Sequence, residues 1–277
     1  MKKLIYLFLI LLTCLASVKL AHGQQKNIDT LQKLVATAKD DTSRVMAMLK
    51  LGNAYVNTKP DSTAILGQNA LVLSKDNHFQ LGEVRSLNLM GSAFITTGNY
   101  PKALAYFLSS YKLAESMGDR LRSITALGNI GNIYTNEGDY RQGIKYTRMA
   151  LETARLLRNS VSISVNLTNI GDAYEKLNVL DSALIYTRQG YEVALKLKNV
   201  DLIATTLNNL GNIYAKLHKP DSALNYYRQS DPLFKQVGDD DGRCETTLGM
   251  AKIFKQLGRQ DSSLYFARQS MAAGWHG

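Results

Sequence analysis

Apolar residues recur along this chain at helical spacing, and the pattern itself recurs every 40 residues. In one helix of each unit a small residue stands at Gly52, Gly91, Gly131, Gly171, Gly211 and Ala251. A large aliphatic residue or Met precedes each one: Leu51, Met90, Ile130, Ile170, Leu210 and Met250. An aromatic follows three residues later at Tyr55, Phe94, Tyr134, Tyr174, Tyr214 and Phe254. A second helix repeats a small residue at Thr63, Ala103, Gly143, Ala183, Ala223 and Ser263, and another seven residues on, at Ala70, Ser110, Ala150, Gly190, Ser230 and Ser270. Its aromatic or aliphatic column is Leu66, Tyr106, Tyr146, Tyr186, Tyr226 and Phe266. The first interval of the glycine column is 39, so the first unit lacks one residue in its inter-helix turn. No useful strand-type alternation competes with this pattern. It predicts about six repeats over roughly residues 42–272, hence twelve helices, preceded by one helix at about 28–39.

Turn chemistry falls between these helices. Pro101 and Pro220 suit a helix start, where the missing N–H is no loss. Asp181, Asp221 and Asp261 complement the dipole at the starts of second helices, and the recurring Asp-Ser pairs there (Asp61-Ser62 among them) read as helix starts rather than nucleophiles. Gly118 and Gly238, with Asn159 and Asn199, are expected in the left-handed position after a helix. A small residue lets two helices approach closely, and the neighbouring aromatic fills the space beside that contact. No unit buries both of its helices alone, so the units must stack.

The segments LGNAY at 51–55, IGNIY at 130–134, IGDAY at 170–174 and LGNIY at 210–214 resemble the tetratricopeptide repeat. So do PKALAYF at 101–107, DSALIYT at 181–187 and DSALNYY at 221–227. The 40-residue spacing is that of the longer class of this repeat. The resemblance implies an all-α fold, a right-handed superhelical α-solenoid of stacked antiparallel helix pairs. It also implies a concave groove lined by the first helices and an outer wall made by the second. An exported array of this kind is similar to the sensor regions of bacterial repeat-containing sensor kinases.

Residues 1–23 read as a secretory signal peptide, leaving 24–277 as a single array. Lys2 and Lys3 are followed by an apolar run from Leu4 to Val18, short for a membrane span, and by a small-x-small site at Ala21 and Gly23. Alternatives are a retained anchor, or a lipoprotein through Cys14 in Leu11-Leu12-Thr13-Cys14. The expectation is an exported, most simply periplasmic protein with no stable membrane span after cleavage. Cys14 would leave with the signal, so Cys244 has no intramolecular partner. The formal net charge of +10 raises an anionic partner, but no block of like charges appears, and export argues against nucleic acid. One basic column, Arg148, Arg188, Arg228 and Arg268, falls on the second helices. It reads either as a solvated convex face or as a docking strip for an acidic partner.

No catalytic constellation, metal cluster or phosphate-binding loop is evident, so the chain is expected to be non-enzymatic, without cofactor or metal. His22, His78, His218 and His276 show no ligand-type spacing. The candidate site is a polar ladder on the first helices. At about 100° per residue, the positions one and four after the small residue, and two and three before it, face away from the packed side. They hold Asn53, Asn88, Asn132, Asp172, Asn208, Asn212 and Lys252, with Glu175 and Lys255 adding charge and Asn129, Asn169 and Asn209 at the rim. Asparagine is a poor helix residue, so its recurrence wants a reason. A carboxamide both donates and accepts, which matches a peptide backbone, and the resemblance implies this use. The competing role is structural, with the asparagines bonding neighbouring helices. The main expectation is an interaction scaffold holding a peptide or protein segment in the groove. The alternative is the ligand-sensing input domain of a signalling system, standing alone or truncated. The tail at Met271–Gly277, with Trp275, supplies no capping helix, so it folds back over the open end, is covered by something else, or belongs to a truncated product.

Overall fold

The structure, a computed structural model, describes residues 27–274, and all the regular structure in them is helical. Helix α1 covers 27–36. It is followed by α2 (Asp41–Tyr55), α3 (Pro60–Asp76), α4 (Gln80–Thr96), α5 (Tyr100–Ser116), α6 (Arg120–Asn136) and α7 (Tyr140–Leu156). Then come α8 (Ser160–Lys176), α9 (Leu180–Leu197), α10 (Val200–Lys216), α11 (Pro220–Val237), α12 (Asp240–Gln256) and α13 (Gln260–Gly274). The described residues fall into two compact units divided between Tyr106 and Phe107, and within each unit successive helices pack against one another. The first helix stops earlier than expected for a local reason. Asp40 is extended (φ −144°), and its carboxylate accepts the Ser43 amide at 2.7 Å and hydroxyl at 2.9 Å, which fixes the start of α2.

From residue 78 onward the turns are one device repeated every 20 residues. His78, Gly98, Gly118, Gly138, Arg158, Asn178, Lys198, His218, Gly238 and Gly258 all have positive φ. Each lets the chain reverse after a helix. Here the structure corrects the reading of Asn159 and Asn199. The left-handed residues are Arg158 and Lys198, and the two asparagines are N-caps whose side chains accept the amides of Ser162 and Leu202. Asp119, Asp139 and Asp239 do the same.

In the first unit Val45, Leu49, Ala70 and Leu89 form the core, and Gly52 leaves the space that the Leu89 side chain fills. The Gln32 amide donates to the Tyr55 hydroxyl at 2.9 Å, tying α1 to α2. In the second unit the pairs α6–α7, α8–α9, α10–α11 and α12–α13 repeat one contact. A Cβ on Gly131 would lie 3.0 Å from the Gly143 carbonyl oxygen, and one on Gly143 would lie 3.0 Å from that of Gly131, so α6 and α7 meet backbone to backbone. Beside each such crossing the two aromatic columns stack: Tyr134 on Tyr146 (5.4 Å), Tyr174 on Tyr186 (5.5 Å), Tyr214 on Tyr226 (5.2 Å) and Phe254 on Phe266 (5.4 Å). The second small column closes each pair at its other end, where the Ser230 hydroxyl donates to the Ala204 carbonyl and the Ser270 hydroxyl to that of Cys244.

Candidate functional site

With the apolar side of α6, α8, α10 and α12 committed to these contacts, their opposite side in the second unit is polar and indented. One cleft of about 310 Å³ is lined by Asn132, Asn136, Asn169, Asp172, Lys176 and Asn209, and is closed by Glu245 from α12. A second, of about 620 Å³, lies between α8, α10 and α12 and includes Glu175, Asn212, Lys216, Tyr227, Glu245, Gly249 and Lys252. Glu245 borders both. A smaller dip of about 180 Å³ beside Gly128 joins Asn129, Asn132 and Asn169 to the apolar side chains of Ile124, Val161 and Val165.

The acids of the two larger clefts differ in state. Asp172 is paired with Lys176 at 3.0 Å. Glu175 is paired with Lys216 at 2.8 Å, and the same ammonium donates to the Glu175 carbonyl at 2.9 Å, clamping α10 to α8. Glu245 and Lys252 have no ion-pair partner among the described residues. Tyr227 enters from the second-helix side. In α7 and α9 its position holds Thr147 and Thr187. The tyrosine ring passes over Gly211 and Gly249, where any Cβ would collide with it. Its hydroxyl donates to Asn212 Oδ1 at 2.7 Å, and Asn212 Nδ2 reaches Glu245 Oε1 at 3.4 Å. Burial pushes the Tyr227 phenol above its ordinary pKa, and the charges of Glu245 and Glu175 push it further.

The sequence candidates therefore divide. Asn132, Asn169, Asp172 and Asn209 share the first cleft, and Glu175, Asn212 and Lys252 share the second. Asn129 borders the dip. The half-buried carboxamides of Asn129, Asn132, Asn169 and Asn209 bond to no other part of the protein among the described residues, so they face the clefts unspent. Asn208 is turned inward instead. It is buried and accepts the Thr246 hydroxyl at 2.9 Å, a strut between α10 and α12. Lys255 is exposed and lines none of these clefts. Asn53 and Asn88 belong to the first unit. Asn53 donates to its own helix at the Leu49 carbonyl (2.8 Å), and the Asn88 Oδ1 is buried without a partner. Sequence reasoning missed Tyr227, Glu245, Lys176 and Lys216. The position of Tyr227 is variable along the repeats (Phe107, Thr147, Thr187), so its one signal was the coincidence of a large ring with Gly249, where earlier repeats carry Asn129, Asn169 and Asn209.

Among the described residues, no group of three or more His, Cys, Asp or Glu could hold a metal ion, and no helix is long and apolar enough to cross a membrane.

Residues 202–273 and 124–155 match the tetratricopeptide repeat. No curated protein matches the chain. Among solved structures, a Rap protein complexed with competence and sporulation factor shares 15% identity at a TM-score of 0.75, over 93% of this chain and 73% of that one. The Rap conjugation gene regulator of plasmid pLS20, in complex with the Phr* peptide, shares 16% at 0.75, over 93% and 70%. The apo quorum sensor NprR from B. thuringiensis shares 22% at 0.61, over 92% and 72%. At such identities the likeness shows the fold, a tetratricopeptide-like α-solenoid. It also corrects two expectations. The similar structures include Rap proteins and NprR rather than the exported sensor regions of sensor kinases. The expectation of an exported, periplasmic chain, read from residues 1–23, finds no support in these neighbours either and is set aside. The residues behind the signal-peptide, anchor and Cys14 lipoprotein readings, and Trp275, lie outside the described residues.

Proposed function

We propose that this chain is a non-enzymatic receptor that binds a peptide or protein segment along the clefts of α6, α8, α10 and α12, as the input of a signalling system. The observation that carries the reading is the row of unspent carboxamides at Asn132, Asn169 and Asn209 that lines these clefts. An extended segment exposes one N–H and one C=O per residue, and a carboxamide answers both. The structural neighbours support the same reading, since the pLS20 regulator and NprR have each been solved with a peptide, and a Rap protein with competence and sporulation factor. A ligand that bridges four first helices favours the arrangement in which they hold it best. That preference is how binding becomes a signal.

The test uses a phage-displayed library of random eight-residue peptides. Enriched peptides are titrated calorimetrically against the wild-type chain and against Asn169→Ala/Asn209→Ala. At about 1 kcal/mol per hydrogen bond, losing two should weaken binding by roughly 30-fold with helicity unchanged. No enrichment, or equal affinity for both proteins, sinks the proposal.

A further inference from the structure

The second helices carry a cleft of their own that the groove does not use. It lies between α7 and α9, measures about 540 Å³, and is lined by Arg148, Glu152, Arg155, Ile185, Tyr186 and Gln189 among others. Arg148 is exposed but not loose. Its Nη2 donates to the Tyr174 hydroxyl at 2.7 Å and the Tyr186 hydroxyl at 3.3 Å, and the guanidinium carbon lies 6.0 and 5.9 Å from the two ring centroids. The stacked tyrosines of one repeat thus hold the arginine of the repeat before. Nε and Nη1 keep their donors free, and no carboxylate pairs with them among the described residues. Arg155 stands two turns further along α7, about 10 Å away by helix rise, exposed and with no polar partner among the described residues. The device recurs at Arg188, which donates to the Tyr214 hydroxyl at 2.6 Å. Arg228 and Arg268 extend the column, exposed and unpaired among the described residues.

A guanidinium fixed in direction with its remaining fork open is built to receive a carboxylate, because little freedom is left to lose on binding. The rest of the cleft selects among anions. Glu152 repels a dense polyanion such as a phosphate backbone or lipid surface. Ile185, 56% exposed, offers an apolar shelf. We propose that the α7–α9 cleft docks an acidic segment of a partner protein, with Arg148 and Arg155 each receiving one carboxylate and Ile185 an apolar side chain between them. In a polyproline-II segment, with three residues per turn and a rise of about 3.1 Å, side chains three residues apart share a face roughly 9 Å apart, close to the spacing of the two arginines. The site is separate from the groove and does not depend on the function proposed for it.

The probe is a fluorescein-labelled ten-residue peptide with two glutamates three residues apart and a leucine between them, read by fluorescence anisotropy in low salt. Arg148→Gln/Arg155→Gln should weaken binding about tenfold or more. Lys112→Gln/Lys235→Gln, which removes the same charge from exposed lysines outside the cleft, should leave it within about twofold. Arg155→Gln alone, which disturbs no contact within the protein, should already weaken it severalfold, and Arg148→Lys/Arg155→Lys should restore only part. Equal losses in the two charge-matched double variants would mean non-specific attraction and would overturn the site. So would a failure of Arg155→Gln to change binding. If vesicles of phosphatidylserine bind through these arginines while the peptide does not, the occupant is a membrane surface and the proposal is wrong.

Discussion

A single side chain shows how the candidate site departs from its own repeat. Threonine at 147 and 187 stays within its helix pair, whereas Tyr227 reaches the groove because Gly211 and Gly249 leave a channel for its ring. The hydroxyl then fixes Asn212. Tyr227→Phe keeps the ring and deletes that bond, so it should cost about 1 kcal/mol at neutral pH. The cost should depend on pH. The folded state holds the phenol above its ordinary value of 10.0, so the neutral form is favoured by folding. That contribution is complete below pH 10 and is lost as the unfolded chain ionises above it. The stability gap between wild type and Tyr227→Phe, measured by urea denaturation, should therefore close near pH 11. A gap unchanged from pH 7 to 11 would contradict the assignment. Such a residue is hard to find from sequence, because its repeat position is variable (Phe107, Thr147, Thr187, Tyr227), and whether a large ring there faces core or groove depends on the glycines opposite. Asn208 failed for a related reason. The helical wheel placed it beside the groove, but Thr246 on the next first helix turned its carboxamide inward.

At the scale of the helix pair, most of the structure was legible. The small columns mark where backbones meet, and the aromatic columns mark what stacks beside them. The helix ends were less so, since Asn159 and Asn199 suit either side of a turn and the 20-residue spacing of left-handed residues decides between them. Half of those ten positions are not glycine, which is why composition did not reveal the rule. The backbone contact is open to a sharp comparison. Gly131→Ala places a methyl 3.0 Å from the Gly143 carbonyl and 3.1 Å from the Thr147 nitrogen, neither of which is the end of a flexible side chain. The helix propensity gained, about 1 kcal/mol, is outweighed by forcing α6 from α7, for a net loss of roughly 2 kcal/mol. Gly128→Ala, one turn earlier on α6, meets only the Asn166 carboxamide at 3.3 Å. Thermal unfolding should show Gly131→Ala clearly less stable than Gly128→Ala. The reverse order would show that α6 and α7 are not held together at this crossing.

Across the second unit, the hydrogen bonds and stacked rings link each helix pair to itself and to its neighbours, the pattern of a molecule whose stability is a sum of local terms. The repeat reading captured that much because periodicity is a property of the whole chain. The export reading did not hold, since it rested on residues 1–23, which lie outside the described residues and outside the repeat that the similar structures share. Nearest-neighbour stability makes a prediction that one cooperative core does not. Tyr174 stacks on Tyr186 within its own pair and receives Arg148 from the pair before. Tyr174→Ala should remove both contacts, at about 2 kcal/mol or more. Hydrogen exchange followed by mass spectrometry should then show faster exchange in α7, α8 and α9, with the amides of α12 and α13 close to wild type. A uniform loss of protection from α6 to α13 would mean that the unit opens as one body. In that case a ligand lying across the first helices could not alter one pair without altering them all, and the receptor would switch as a whole rather than by graded shifts between neighbouring repeats.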